Sequence, residues 1–222
     1  MAASCPEGLA AGEPARRRVG GDGRIDRTRR RIMGGARIQF AAAGYAGTTV
    51  GEIARVADVS VGSVYLHFAS KRELALWYVF EALGALAEEL RSLGRVLSPG
   101  DCLAAANAAF LRHVQDDPVA YRLWLVALVD PVSEPGCEDV YEAIGQRAQE
   151  MAAQVAQDSG LLDGNLVSAE LTGTHLLASW TGVASMMVRA DGLAVDPRLA
   201  AQALDVSIEL LTERLASLAS RV

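Results

Sequence analysis

Between Thr48 and Leu74 the sequence TTVGEIARVADVSVGSVYLHFASKREL sets three helix-start signals close together. Thr49 stands three residues ahead of Glu52 and Ser70 three ahead of Glu73, the spacing of a capping box, in which a hydroxyl and a carboxylate satisfy orphan amides at a helix start. Ser60 lies between them. Helices this short do not hold themselves up in water, so they must pack on one another and on neighbouring segments. Val50, Ile53, Ala54 and Ala57 recur at i, i+3, i+4 and i+7, giving a second helix of about two turns with one apolar face. A first helix is expected from Arg24 to Ala43, with Ile32, Ala36, Phe40 and Ala43 on one face; Gly34 and Gly35 weaken it and Gly44 and Gly47 end it. Only Asp58 and Val59 separate Ala57 from Ser60, a turn tight enough to need a left-handed residue, which Asp tolerates better than most. A third helix over Val61–His67 then turns Val64 and Phe68 inward.

Two short helices joined by so tight a turn, braced by a helix before and another after, form a helix-turn-helix, whose second helix suits a DNA major groove. Periodicity alone would also allow any small helical bundle. Charge is consistent with the first reading. Residues 1–75 hold 12 Lys and Arg against 7 Asp and Glu, a balance of +5, whereas residues 76–222 hold 9 against 20, a balance of −11, so the net −6 hides a basic front. Such asymmetry fits either a polyanion partner or a solvated basic tail.

The residues themselves resemble the DNA-binding domain of the TetR family of transcriptional regulators. The resemblance runs from about Arg24 to Leu74 through Phe40, Gly44, Thr48-Thr49-Val50, Ile53-Ala54, Ala57, Val59-Ser60, Gly62, Tyr65, His67-Phe68 and Lys71. Asp58, Val61 and the Gly34-Gly35 pair depart from the family pattern. The resemblance implies an all-α fold: a basic N-terminal arm over residues 1–23, expected to be flexible, a three-helix DNA-binding domain over 24–74 and a larger helical ligand-binding and dimerisation domain over 75–222. It implies phosphate contacts from Thr48 or Thr49, Ser60, Tyr65, His67 and Lys71, whose hydroxyls, amides and ammonium suit phosphate oxygens. Base reading would fall to Val61, Gly62, Ser63 and Leu66. Arg16 to Arg18 and Arg27, Arg29, Arg30 and Arg31 would add contacts to flanking phosphates or the minor groove, or remain a solvated basic stretch.

Helical patterns continue to the C-terminus: a connecting helix over Arg72–Leu97, then helices near 101–115, 118–129, 136–158, 166–190 and 197–220, broken at Pro99, Pro118, Pro131, Pro135 and Pro197. Leu204, Ile208, Leu211, Leu215 and Leu218 keep a heptad-like rhythm, and Thr174, Ala178, Gly182 and Ser185 make a small-residue stripe where another helix can come close. By resemblance these two helices form a homodimer interface, which would place two reading helices on a palindromic operator; packing within one chain is the other reading of the same stripes. By resemblance, too, the middle helices enclose a pocket for a small apolar or amphipathic effector, with Phe110, Tyr121, Trp124, Tyr141, His175, Trp180 and Met187 as candidate lining. Effector binding would release a repressor from DNA.

Little in the chain suggests catalysis. His67, His113 and His175 lack HxxxH spacing, and neither a GxSxG elbow nor a phosphate-binding loop occurs. Cys5, Cys102 and Cys137 show no CxxC spacing, so neither a metal site nor a disulfide framework is expected, and no cofactor is indicated. The apolar run Leu171–Val188 is interrupted by His175 and several Ser and Thr, which argues for a buried helix rather than a membrane span. A cytoplasmic location follows from these readings. The competing class is a helical architectural or protein-interaction module without an effector, which would bind DNA without preferring one palindrome.

Overall fold

A computed structural model of the chain describes residues 24–129, 136–160, 169–189 and 194–219. Among these residues all regular structure is helical: α1 (Arg24–Gly47), α2 (Val50–Val56), α3 (Val61–His67), α4 (Lys71–Val96), α5 (Pro99–Asp116), α6 (Pro118–Val129), α7 (Glu138–Asp158), α8 (Ala169–Met187) and α9 (Pro197–Ala219). Residues 1–23, with Arg16 to Arg18 and Cys5, lie outside them.

The head is α1 to α3. Gly44 takes φ 69 and ψ 176, so the regular part of α1 stops at Ala43 as expected and a short tail carries the chain to Gly47. α2 opens with a complete capping box between Thr49 and Glu52, and Ser60 and Ser70 cap α3 and α4 through Ser63 N and Glu73 N. Ile32, Ala36, Phe40, Ile53, Ala54, Ala57, Val64 and Phe68 close a small core. Gly35, which weakens α1 as an isolated helix, has a packing reason. A Cβ there would meet Ile53 O at 2.9 Å and Ala57 Cβ at 3.1 Å, so glycine lets α2 lie directly on α1.

The body is α4 to α9. α4 starts at Lys71, one residue earlier than its expected start, and its 26 residues span roughly 39 Å, from the head to the far end of the body. Residue 74, the expected domain boundary, therefore falls in the first turn of a continuous helix. Pro99, Pro118 and Pro197 are the first residues of α5, α6 and α9. Proline is well placed there, because its missing N–H is one that no helix partner would have used. Helix α7 packs between α4 and α8, and α9 lies against α8 and α5. Trp124, Trp180, Tyr121 and Phe110 are among the largest fully buried side chains.

Head and body meet through specific groups as well as through α4. Tyr78 of α4 donates its hydroxyl to Asp117, at 2.7 and 2.6 Å from the two carboxylate oxygens. Asp117 accepts the amide of Ala120 at the start of α6 and lies 3.8 Å from Nε of Arg37 on α1. Burial, and then the hydrogen bond to Asp117, push the Tyr78 phenol far above its ordinary range, so it remains a donor.

Candidate functional site

On the outer side of the head, α3 presents Val61, Tyr65 and Leu66, exposed at 44%, 53% and 81%, while Val64 faces the core at 2%. Such side chains can press on thymine methyl groups in a major groove. Gly62 has only Ser60 Oγ near it, at 3.9 Å from a built Cβ, so a partner can approach that backbone closely. Ser60 Oγ accepts from Ser63 N at 3.1 Å and lies 2.9 Å from Ser63 Oγ, tying both hydroxyls to the cap of α3.

The turn before α3 is held by a pair that the sequence did not announce. Asp58 sits at φ 50 and is exposed, and Arg31 of α1 donates to its carbonyl at 2.6 Å and to Oδ2 at 2.7 Å. One guanidinium thus stabilises the left-handed turn and neutralises the anion beside the DNA-facing helix.

Of the two adjacent threonines, Thr48 belongs to the frame. It is 1% exposed, and its hydroxyl donates to Gly44 O at 2.7 Å and to Gln39 O at 3.1 Å, closing the broken end of α1. Thr49 is exposed and caps α2, with its amide on Glu52 at 2.9 Å. These bonds, the hydroxyl's first, hold the Glu52 carboxyl below its ordinary value of 4.5. Lys71 also has a structural task. Its Nζ donates to Tyr45 O and Thr48 O, both at 2.8 Å, and lies 4.4 Å from the centre of the Tyr45 ring. His67 is half-buried; burial and then the charge of Arg29 lower its pKa, so its ring is neutral at neutral pH. Arg29 stands 4.5 Å over Phe68 and 4.4 Å over Trp77, while Arg27 and Arg30 are exposed.

In the body, Phe110 stacks on Trp180 (centroids 5.1 Å apart, 9° between planes) and meets Tyr121 edge-on, and Tyr121 meets Trp124 in the same way. Trp180 donates to Asn107 Oδ1 at 2.8 Å. Four of the seven expected pocket residues are therefore filled core. Asn107 Nδ2 and Tyr121 Oη are buried there without a hydrogen-bond partner among the described residues. Met187 packs at the edge of this core, and His175 is exposed, with Nε2 3.2 Å from Ser207 Oγ. Tyr141 lines a small open cleft at the junction of head and body, where Tyr45 of α1, Arg72 and Leu76 of α4 and Leu123 and Val126 of α6 also face it. Of the residues lining this cleft, sequence patterning picked out Tyr141 alone, because the others come from three further helices and meet it only in the fold.

On α8, Thr174, Ala178, Gly182 and Ser185 all lie at the surface. Leu171 and Met186 beside them, and Val206 and Leu210 on α9, are exposed at 63%, 38%, 52% and 62%. Leu204 faces inward at 2%, packed within its own protomer. The side chains of Ile208, Leu211 and Leu215 lie outside the described residues.

Residues 32–76, which include the capped turn and the exposed α3, match the family model of bacterial regulatory proteins of the tetR family. This part of the chain is of the tetR type. It is 28% identical over 193 residues to the HTH-type transcriptional regulator TcmR of Streptomyces glaucescens, covering 84% of this chain and 81% of the relative. The fold is shared with two solved transcriptional regulators. FadR from Bacillus subtilis, solved with stearoyl-CoA, superposes with TM-score 0.66 at 17% identity, covering 81% of this chain and 97% of that one. Thermus thermophilus FadR, solved with lauroyl-CoA, superposes with TM-score 0.64 at 23% identity, covering 82% and 92%. These relatives are named as transcriptional regulators. Among the described residues no group of His, Cys, Asp and Glu could hold a metal ion, and no helix is long and apolar enough to cross a membrane.

Proposed function

We propose that this chain is a TetR-family transcriptional regulator, a cytoplasmic, homodimeric repressor that binds a palindromic operator and is released by a small apolar or amphipathic effector held between the body helices. The observation that carries the DNA half of this reading is the exposed α3 set on a rigidly capped turn. Val61, Gly62 and Leu66 are exposed and Ser63 partly so, which supports them as the residues that would meet base edges. Thr49, Ser60, Tyr65 and His67 flank them as phosphate donors, and Lys71 keeps a third N–H beyond the two it spends on the frame.

The exposed small-residue face of α8, with Leu171, Met186, Val206 and Leu210, supports a second copy of the chain as partner. Two reading helices related by a two-fold axis would double the contact on a palindrome. The fatty acyl-CoA molecules bound by the two FadR neighbours support an effector with an apolar chain. Such a ligand represses or releases only through differential affinity for the two arrangements of the reading heads, with α4 as the lever.

The test is a fluorescence-anisotropy titration of the purified protein against DNA from upstream of its own coding region, beside a scrambled duplex, at several salt concentrations. Binding that survives moderate salt on the native duplex alone is the expected result. Equal binding to both duplexes that collapses with salt would instead favour the architectural module.

A further inference from the structure

The turn that leads into α3 carries a negative charge that its backbone does not need. Asp58 occupies φ 50, a left-handed conformation that Gly or Asn would fill without charge. Its side chain is 97% exposed. Elsewhere in the head, Glu52 and Glu73 each accept a backbone amide at a helix start, those of Thr49 and Ala69. Asp58 has no such task, because α3 is capped by Ser60, whose Oγ accepts from Ser63 N. What its carboxylate holds is Arg31 of α1, whose Nη2 reaches Oδ2 at 2.7 Å and the Asp58 carbonyl at 2.6 Å. Arg31 is itself 44% exposed, and an ion pair so open to water adds little to stability. The surroundings are basic: the exposed Arg27 stands one turn before Arg31 on α1, and the exposed Arg55 three residues before Asp58.

We propose that Asp58 is a specificity-determining residue: by holding Arg31 in a neutral pair beside the reading helix, it withholds one cation from DNA of the wrong sequence. The inference rests on the DNA-binding reading above and adds a discriminating device to that surface. Non-specific affinity comes from cations that displace counterions from phosphates, so every additional mobile cation raises it whatever the sequence. A guanidinium whose charge is cancelled 2.7 Å away displaces none. Discrimination comes instead from base edges, which a reading helix meets with its N-terminal residues, and Asp58 stands just ahead of that end of α3. On the right sequence α3 fixes the register, and a released Arg31 gains only where a phosphate falls within its reach. On the wrong sequence no register is imposed, and a long exposed side chain settles on whichever phosphate is near. The carboxylate therefore costs the non-specific complex more than the specific one.

The experiment is a salt series of anisotropy titrations with the full-length protein, on the upstream duplex and on its scrambled counterpart. Asp58→Asn keeps the left-handed turn and the carbonyl bond to Arg31 but removes the counter-charge. Asp58→Gly is the second variant, and circular-dichroism melts confirm that both fold. In both, affinity for the scrambled duplex should rise by about tenfold per bound head at about 0.1 M salt, with the slope of log affinity against log salt steeper by about 0.9 per head. The upstream duplex should gain less, so that the ratio of the two affinities falls by at least about threefold. Adding Arg31→Gln to Asp58→Asn should return the scrambled duplex to its wild-type affinity, because neither charge is left. An equal gain on both duplexes overturns the specificity role, since the pair would then attenuate all binding alike. Scrambled binding unchanged in both single variants, or a gain that survives in the double variant, overturns the withholding of Arg31. Wild-type protein that does not prefer the upstream duplex removes the regulator reading and this inference together. Wild-type preference that persists undiminished in both single variants removes this inference alone.

Discussion

The head and the body of this protein are stabilised in different ways, and the difference follows from size. The head builds its core from a handful of modest side chains and adds directional polar bonds at each corner: Thr48 on the end of α1, the Thr49–Glu52 box, Arg31 on Asp58 and Lys71 on two carbonyls. The body buries Trp124, Trp180, Tyr121 and Phe110 together and leaves Asn107 Nδ2 and Tyr121 Oη without partners among the described residues. A small domain buries a smaller share of its surface, so single bonds weigh more in it. The body rests instead on its large apolar burial.

The sharpest way to break this contrast is to remove a ring from the body. Trp180→Ala should cost about 3–5 kcal/mol, since it opens a cavity beneath Phe110 and leaves Asn107 Oδ1 without its donor. Urea denaturation of the full-length protein measures it. A loss below about 1 kcal/mol would mean that the body is loosely packed and that the contrast is false.

In the head the equivalent weight should rest on a charge. Lys71→Met keeps the stem and removes two charge-assisted bonds to backbone carbonyls, each worth about 1.5–3 kcal/mol where it is shielded. Because Lys71 is only half-buried, the combined loss should be nearer about 2 kcal/mol. Hydrogen exchange should accelerate at the amides of α2 and α3 in the absence of DNA. A residue whose sole task was to touch phosphate would leave exchange unchanged and weaken only DNA binding.

These two residues also show what could be read from the chain before it folded. Head boundaries were legible because capping is local: Thr49 and Glu52, or Ser70 and Glu73, reach each other within one turn of helix. Asp58 was legible as the left-handed turn residue, for the same reason. Arg31, 27 residues away from Asp58, was not, and neither was the closeness of Arg72 to Tyr141. In the body, aromatic residues mark where burial occurs but not which side faces a ligand, so Phe110 and Trp180 became core while the aliphatic wall of the cleft went unnoticed. Gly35 was misread in isolation, since a helix-weakening residue becomes favourable once a neighbouring backbone lies against it.

A smaller effect tests the polar corners individually. Thr49→Ala should destabilise the head by about 1 kcal/mol, the usual loss of a helix N-cap. The same box makes a pH signature. Glu52 has a folded pKa below its unfolded value of 4.5, so its contribution is complete above that value and is lost as pH falls through the lowered folded one. An NMR titration should find the carboxyl of Glu52 rising part of the way to its ordinary value in Thr49→Ala, since the backbone amide at position 49 still donates to it. No rise would mean that the amide and Arg55, and not the hydroxyl, set the shift.

The smallest expected effect concerns His67, and it separates shape from charge at the DNA surface. Arg29 is held over Phe68 and Trp77, so the positive charge near His67 is anchored by the head's own core. Burial, and then that charge, disfavour a second cation, so on the proposed reading the ring would meet DNA as a neutral donor. His67→Gln preserves a single N–H donor and should leave the salt dependence of operator binding unaltered, because no counterion release is lost. A charged histidine would instead have contributed about 0.9 to the slope of log affinity against log salt. Titrations on the native upstream duplex at neutral pH decide between them: a slope reduced by that amount would show that the phosphate field protonates His67 on binding, overriding the charge of Arg29, and the head would then gain part of its DNA affinity as pH falls.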